Sequence, residues 1–172
     1  TTRFEGSCNR NVIACNDGSW STANAYEGTF SFGNVYYRNL ANDSNFGFWL
    51  GYSSDSLIFE NEVLRNNDDG IAIEHGHGTR IEANTFGNNR GAAIALWSSE
   101  GWLDRLHPSR DLEIRDNIIQ HCGRAFRLDY STQVSAGGNK IEGTPQSEFP
   151  FVERPPSSAL ARTASTCTGG CP

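Results

Sequence analysis

The feature that most constrains this chain is a repeat of about 22–24 residues. From Leu57 it reads LIFENEVLRNNDDGIAIEHGHGT, from Arg80 RIEANTFGNNRGAAIALWSS, and from Leu112 LEIRDNIIQHCGRAFRLDYSTQVS. Each copy has an aliphatic residue, an Asn three places later and an apolar residue two places after that. A turn follows, then a short strand of alternating character: GIAIE, AIALW, AFRLD. Upstream, FSFGNVYYRNLANDSNFGFWLGYSSDS fits the same template. RFEGSCNRNVIAC fits loosely, with Ser7 in the Asn slot, and AGGNKIEG begins a last partial copy. The anchors are read as Asn34, Asn61, Asn84, Asn117 and Asn139, at spacings of 27, 23, 33 and 22, the long interval holding the extra loop SSEGWLDRLHPSR.

Such a repeat predicts a coil of short strands that buries its apolar face only against its neighbours. Ile58, Ile81 and Ile114 are expected to point inward and stack, as are Val63, Phe86 and Ile119. A further inward ladder is Ile71 with Ile73, Ile94 with Leu96, and Phe126 with Leu128. An Asn amide at a tight bend can bond the same amide one coil on, satisfying backbone groups that a buried turn would leave unpaired. The fold class is therefore all-β: a right-handed parallel β-helix, a solenoid of about five to six coils over residues 1–143. Residues 144–172, which hold five of the six prolines, read as a C-terminal cap and a tail or linker.

Composition narrows the function classes. The 172 residues are 37% hydrophobic and 20% charged, and no apolar run approaches a membrane span. The formal charge of −6, with Lys140 the only lysine, provides no cationic cluster for nucleic acid. Five Cys suit a secreted or periplasmic protein: Cys8 with Cys15, or Cys167 with Cys171, are candidate disulfides, which leaves Cys122 as a buried thiol. Cys-x2-Cys spacing is absent, so a metal site is not expected. The acidic turn at 66–69 is a candidate Ca2+ loop.

The pattern I-x-x-N-x-hydrophobic…N-x-x-G-I-x-hydrophobic resembles the parallel β-helix repeat of the pectate-lyase-like superfamily. It is most similar to the bacterial group described as NosD-like or carbohydrate-binding β-helix proteins, over roughly residues 3–143. The resemblance implies the fold and leaves the activity open, because polysaccharide lyases, epimerases, glycoside hydrolases and non-enzymatic surface proteins share it. The Asp-Pro-His-Glu signature of alginate epimerases is missing from this chain.

Alternation along the second strand of each copy places two columns outward. One is Trp49, Ala72, Ala95, Arg127; the next is Gly51, Glu74, Trp97, Asp129. Tyr52, His75, Ser98 and Tyr130 lie just beyond, and the Trp102–His107 loop leaves the sheet after Trp97. Aromatic faces flanked by acids, Arg and His suit sugar rings. Trp49, Trp97, Arg127, Tyr130, Trp102 and His107 are the candidate substrate-binding residues, with Arg127 expected to take an acidic group. Glu74, His75 and Asp129 are the candidate catalytic residues. Glu74 and Asp129 sit two coils apart, roughly 9–10 Å, near the carboxylate spacing of inverting glycosidases.

Two functions follow. The first is an extracellular, cell-surface or periplasmic module that binds or processes polysaccharide. The second is a structural or assembly module, whose open ends take neighbouring domains or chains. Phe149 and Phe151 are the expected cap over the last coil, and Asn42-Asp43-Ser44 reads as a glycosylation sequon on a loop.

Overall fold

The computed structural model describes residues 8–98 and 108–145, and the backbone of 152–153. The Trp102–His107 loop, Phe149, Phe151, Cys167 and Cys171 lie outside the described residues.

Strands are numbered in chain order. A seven-stranded sheet joins β1 (Val12–Ala14), β3 (Val35–Tyr37), β5 (Leu57–Phe59), β8 (Arg80–Glu82), β11 (Arg110–Arg115), β14 (Thr132–Gly137) and β16 (Val152–Glu153). A five-stranded sheet joins β2 (Asn24–Glu27), β4 (Phe46–Trp49), β7 (Ile71–Glu74), β10 (Ala92–Trp97) and β13 (Arg124–Asp129). A four-stranded sheet joins β6 (Glu62–Leu64), β9 (Thr85–Gly87), β12 (Ile118–Gln120) and β15 (Lys140–Glu142). Each strand pairs in parallel with its counterpart one coil on, giving a solenoid of about five turns.

The inward ladders follow the repeat. Ile58 pairs with Ile81 and Ile81 with Ile114; Val63 pairs with Phe86 and Phe86 with Ile119. Ile71, Ile94 and Phe126 align, as do Ile73, Leu96 and Leu128. All of these side chains are buried, so each coil supplies the apolar surface that its neighbour needs.

The asparagine ladder runs Asn16, Asn39, Asn61, Asn84, Asn117, Asn139. From Asn39 onward each Oδ1 accepts the backbone N–H of the preceding Asn and, from its amide, a second bond; Asn84 Oδ1 takes both from Asn61 at 2.9 Å. This corrects the sequence reading at one rung. Asn39, not Asn34, is the anchor of its coil, because Tyr36 fills the inward slot opposite Ile58 and the Asn must come three residues later. The spacing from Asn39 to Asn61 is then 22, in step with the other regular coils. Asn34 precedes β3 and accepts from Asn11 in a separate pair. Asn16 fills the first slot; Ser7, assigned to it from sequence, lies outside the described residues.

A second ladder went unread: Ser21, Ser44, Asn66, Asn89, Cys122, Thr144. Asn66 accepts at Oδ1 from the Ser44 N–H at 3.0 Å, and Asn89 does the same for Asn66 at 2.9 Å. The Asn89 amide meets Cys122 Sγ at 3.7 Å, and Thr144 Oγ1 accepts from the Cys122 N–H. Its sequence signal is the fixed offset of five from each anchor: Asn61 to Asn66, Asn84 to Asn89, Asn117 to Cys122. In both ladders the residue just before the rung has positive φ, as at Glu60, Arg65, Ala83, Asn88, Asp116 and His121. One left-handed residue turns the chain sharply and drives the next side chain inward.

Two other expectations change. Asn42 of the sequon is buried; its amide donates to Glu62 and its Oδ1 accepts from the Leu64 N–H, so it is no exposed loop. Cys8 and Cys15 do not pair: Cys8 is a free thiol, while Cys15 is disulfide-bonded. Cys122 is buried and free, and desolvation raises its pKa.

Candidate functional site

The five-stranded sheet presents the face. Its interior carries Ile and Leu, so alternation turns Trp49, Ala72, Ala95 and Arg127 outward in one register column. Glu74, Trp97 and Asp129 align in the next. Along these columns the rings touch in sequence. Phe46 meets Trp49 edge to face at 5.1 Å, and Trp49 meets Trp97 in the same manner at 5.5 Å. The Arg127 guanidinium then lies 5.3 Å from the centre of the Trp97 ring. Both indoles are half-buried, sharing an edge and keeping other surface open.

Beside them is an open hollow of about 650 Å³, lined by Trp97, Ser98, Arg127, Leu128, Asp129 and Tyr130. Tyr130 stands 63% exposed at its rim. Ser98 Oγ donates to the Tyr130 carbonyl at 3.0 Å, which ties the ends of two neighbouring coils together.

Arg127 is held from two sides. One nitrogen, Nη2, lies 3.0 Å from Asp69 Oδ2, and Nε lies 3.8 Å from Asp129 Oδ2. Asp69 belongs to the turn before β7, two coils away. The coil between offers only Ala92 and Ala95 at the facing positions, and those short side chains leave room for the long reach. Asp69 Oδ1 also accepts from the Ala92 N–H at 2.7 Å. Its side chain is 1% exposed, and Oδ2 makes no hydrogen bond among the described residues. Burial raises its pKa, opposed by the Ala92 N–H and the Arg127 charge.

Sequence reasoning placed Trp49, Trp97, Arg127, Asp129 and Tyr130 on this face, and the structure brings them together. Glu74 lies beside Trp97 in register. His75 takes a different setting: it has φ 52°, is mostly buried, and stacks on Tyr52 at 5.1 Å, which stacks on Phe30 at 4.8 Å. Trp102 and His107 lie outside the described residues. Asp69 and Phe46 were not proposed. Asp69 was read only as part of an acidic turn, because nothing local relates residue 69 to residue 127.

A family model described as "Periplasmic copper-binding protein (NosD)" matches residues 3–153. The chain belongs to the NosD family. No curated protein matches it. The NosD description gives a periplasmic location, within the extracellular, cell-surface or periplasmic range expected from sequence. No helix among the described residues is long and apolar enough to cross a membrane.

The NosD description also names copper, which binds through imidazole, thiolate or thioether. The chain has no Met and four His. Among the described residues no three His, Cys, Asp or Glu side chains converge. His75 is stacked on Tyr52, His77 bridges Ser54 and Arg110 through its backbone, and Cys122 faces Asn89 in the interior. The described donors do not fit a copper ion. In the acidic turn at 66–69, the Asn66 amide bonds Ala41 and Asn89, and Asp69 is engaged by Ala92 and Arg127.

Proposed function

We propose that the outer face of the five-stranded sheet binds carbohydrate, and that the protein is a periplasmic β-helix module that holds or processes polysaccharide. One observation carries this reading. Trp49 and Trp97 form an edge-to-face pair beside an open hollow whose other walls are Arg127, Asp129, Ser98 and Tyr130. Indole and phenol faces stack on the C–H face of a sugar ring, and the flanking polar groups bond its hydroxyls. Trp102 and His107, which lie outside the described residues, belong to the same proposal as substrate-binding residues. Glu74 and Asp129 flank Trp97 and are the proposed acid–base pair, with His75 as the third candidate.

The test is a glycan-array screen of the purified chain beside Trp97→Ala. Retention of a glycan that the variant loses supports the reading, and product assays with Glu74→Gln and Asp129→Asn then separate processing from holding. A folded sample that retains no glycan rejects it.

The assembly reading has its own support in the first described coils, where Val12 is 71%, Trp20 77% and Phe30 53% exposed. Self-association or partner capture through that end, with no glycan retained, favours it.

A further inference from the structure

We propose that Asp69 is a positioning residue that makes this face select uncharged glycans over uronate chains. The inference rests on the carbohydrate reading above and assigns that site its ligand class.

A free guanidinium on a sheet would be a ready fork for a sugar carboxylate, and Arg127 was expected from sequence to take one. The structure places a carboxylate at each edge of the fork, Asp69 within direct reach of Nη2 and Asp129 beyond hydrogen-bond distance of Nε, which is buried and makes no hydrogen bond among the described residues. Asp69 stands 3.0 Å from Nη2, and Asp129 stands 3.8 Å from Nε. Two carboxylates around one guanidinium leave the cluster one negative charge in excess. Glu74 adds a further negative charge on the far side of Trp97. Arg124, the other cation on β13, pairs in register with Ala92, and it is solvent-exposed. A uronate carboxylate approaching Arg127 would meet Asp129 within about 4 Å of the same guanidinium, where like charges repel. A hydroxyl-bearing ring meets no such penalty. It can donate to the carboxylates and stack on Trp97.

Asp69 controls this more than Asp129 does. Asp129 is 52% exposed and screened by water, whereas Asp69 is almost fully buried and its Oδ2 has only Arg127 as a counter-charge among the described residues. A buried carboxylate beside a charge of opposite sign holds it firmly, because separating them leaves an uncompensated charge in a poorly solvated site. Asp69 also holds Arg127 down across Ala92 and Ala95, against the Trp97 ring and out of the path of a chain crossing the hollow.

The experiment compares wild type, Asp69→Asn and Asp129→Asn on an array carrying neutral, N-acetylated and uronate oligosaccharides. Calorimetry follows at pH 7.5 and low salt, with the best uncharged hit and with hexagalacturonate as probes. Asn at 69 keeps an oxygen for the Ala92 N–H and removes the charge. Asp129→Asn changes an exposed residue and serves if Asp69→Asn does not fold. Wild type is expected to bind an uncharged glycan and to bind hexagalacturonate at least about tenfold more weakly, with either variant moving that ratio about tenfold toward the uronate. The ratio is the decisive readout, since a merely structural loss would weaken both probes alike. Hexagalacturonate bound as tightly as the uncharged glycan by wild type, or a ratio unmoved in both folded variants, overturns the inference and leaves the carbohydrate reading standing. No retention of any glycan removes both.

Discussion

Asn84 shows what one side chain does in this fold. Its amide joins the carbonyl of Ile58 to Asn117, while its oxygen receives two bonds from Asn61. Asn84→Ala would leave several buried groups unpaired at once. We expect a loss of about 3 kcal/mol or more in urea unfolding, well above the effect of removing a surface ion pair such as Arg38–Glu60. The aliphatic-to-Asn offset was legible because the bend needs an amide at one fixed place. The same offset failed at Asn34, because FSFGNVYYRN holds two Asn and only the pairing of Tyr36 with Ile58 decides between them. Tyr36 supports a second prediction. Burial pushes its phenol up to about 12, so the fold disfavours the phenolate. Its contribution is complete below pH 10 and is lost as pH rises through 12. Unfolding monitored from pH 9 to 12 should show a decline of roughly 2–3 kcal/mol, part of which disappears in Tyr36→Phe.

Strands and turns impose their own limits. Gly123 leads into β13, the strand that carries Arg127, and a Cβ there would overlap the carbonyl of Arg90 in the coil below. Gly123→Ala must therefore move backbone rather than a side chain. A loss of about 1–3 kcal/mol is expected, together with weaker glycan binding, since the strand and its side chains shift together. The turn holding Cys122 makes a chemical prediction. Its thiol lies inside the second ladder against Asn89, so peptide mapping after alkylation should find Cys8 labelled in the native protein and Cys122 only after denaturation. The outward columns were legible because strand alternation has a period of two. The long reach of Arg127 to Asp69 was not, since it depends on two alanines in the coil between.

For the whole molecule, strands pair only with their counterparts in neighbouring coils, so stability should fall toward the ends. Amide exchange followed by mass spectrometry should show slowest exchange in β7 and β10, where burial is nearly complete, and faster exchange in β1 and β15, whose side chains are partly exposed. Uniform protection along the axis would contradict a solenoid that unfolds from its ends. Membership of the NosD family agrees with this architecture, while the described His and Cys are scattered around the coils instead of meeting at one point.

The repeat period, the inward ladders, the anchor amide and the outward aromatic columns follow from residues 57–139 alone, because each coil obeys a local rule and copies it. Three features do not: the choice of Asn39 over Asn34, the left-handed residue before each rung, and the pairing of Arg127 with Asp69. They depend on which residues come to lie one or two coils apart. A chain read linearly carries the period but not the register, and it is the register that places one buried carboxylate beneath the one arginine of the hollow.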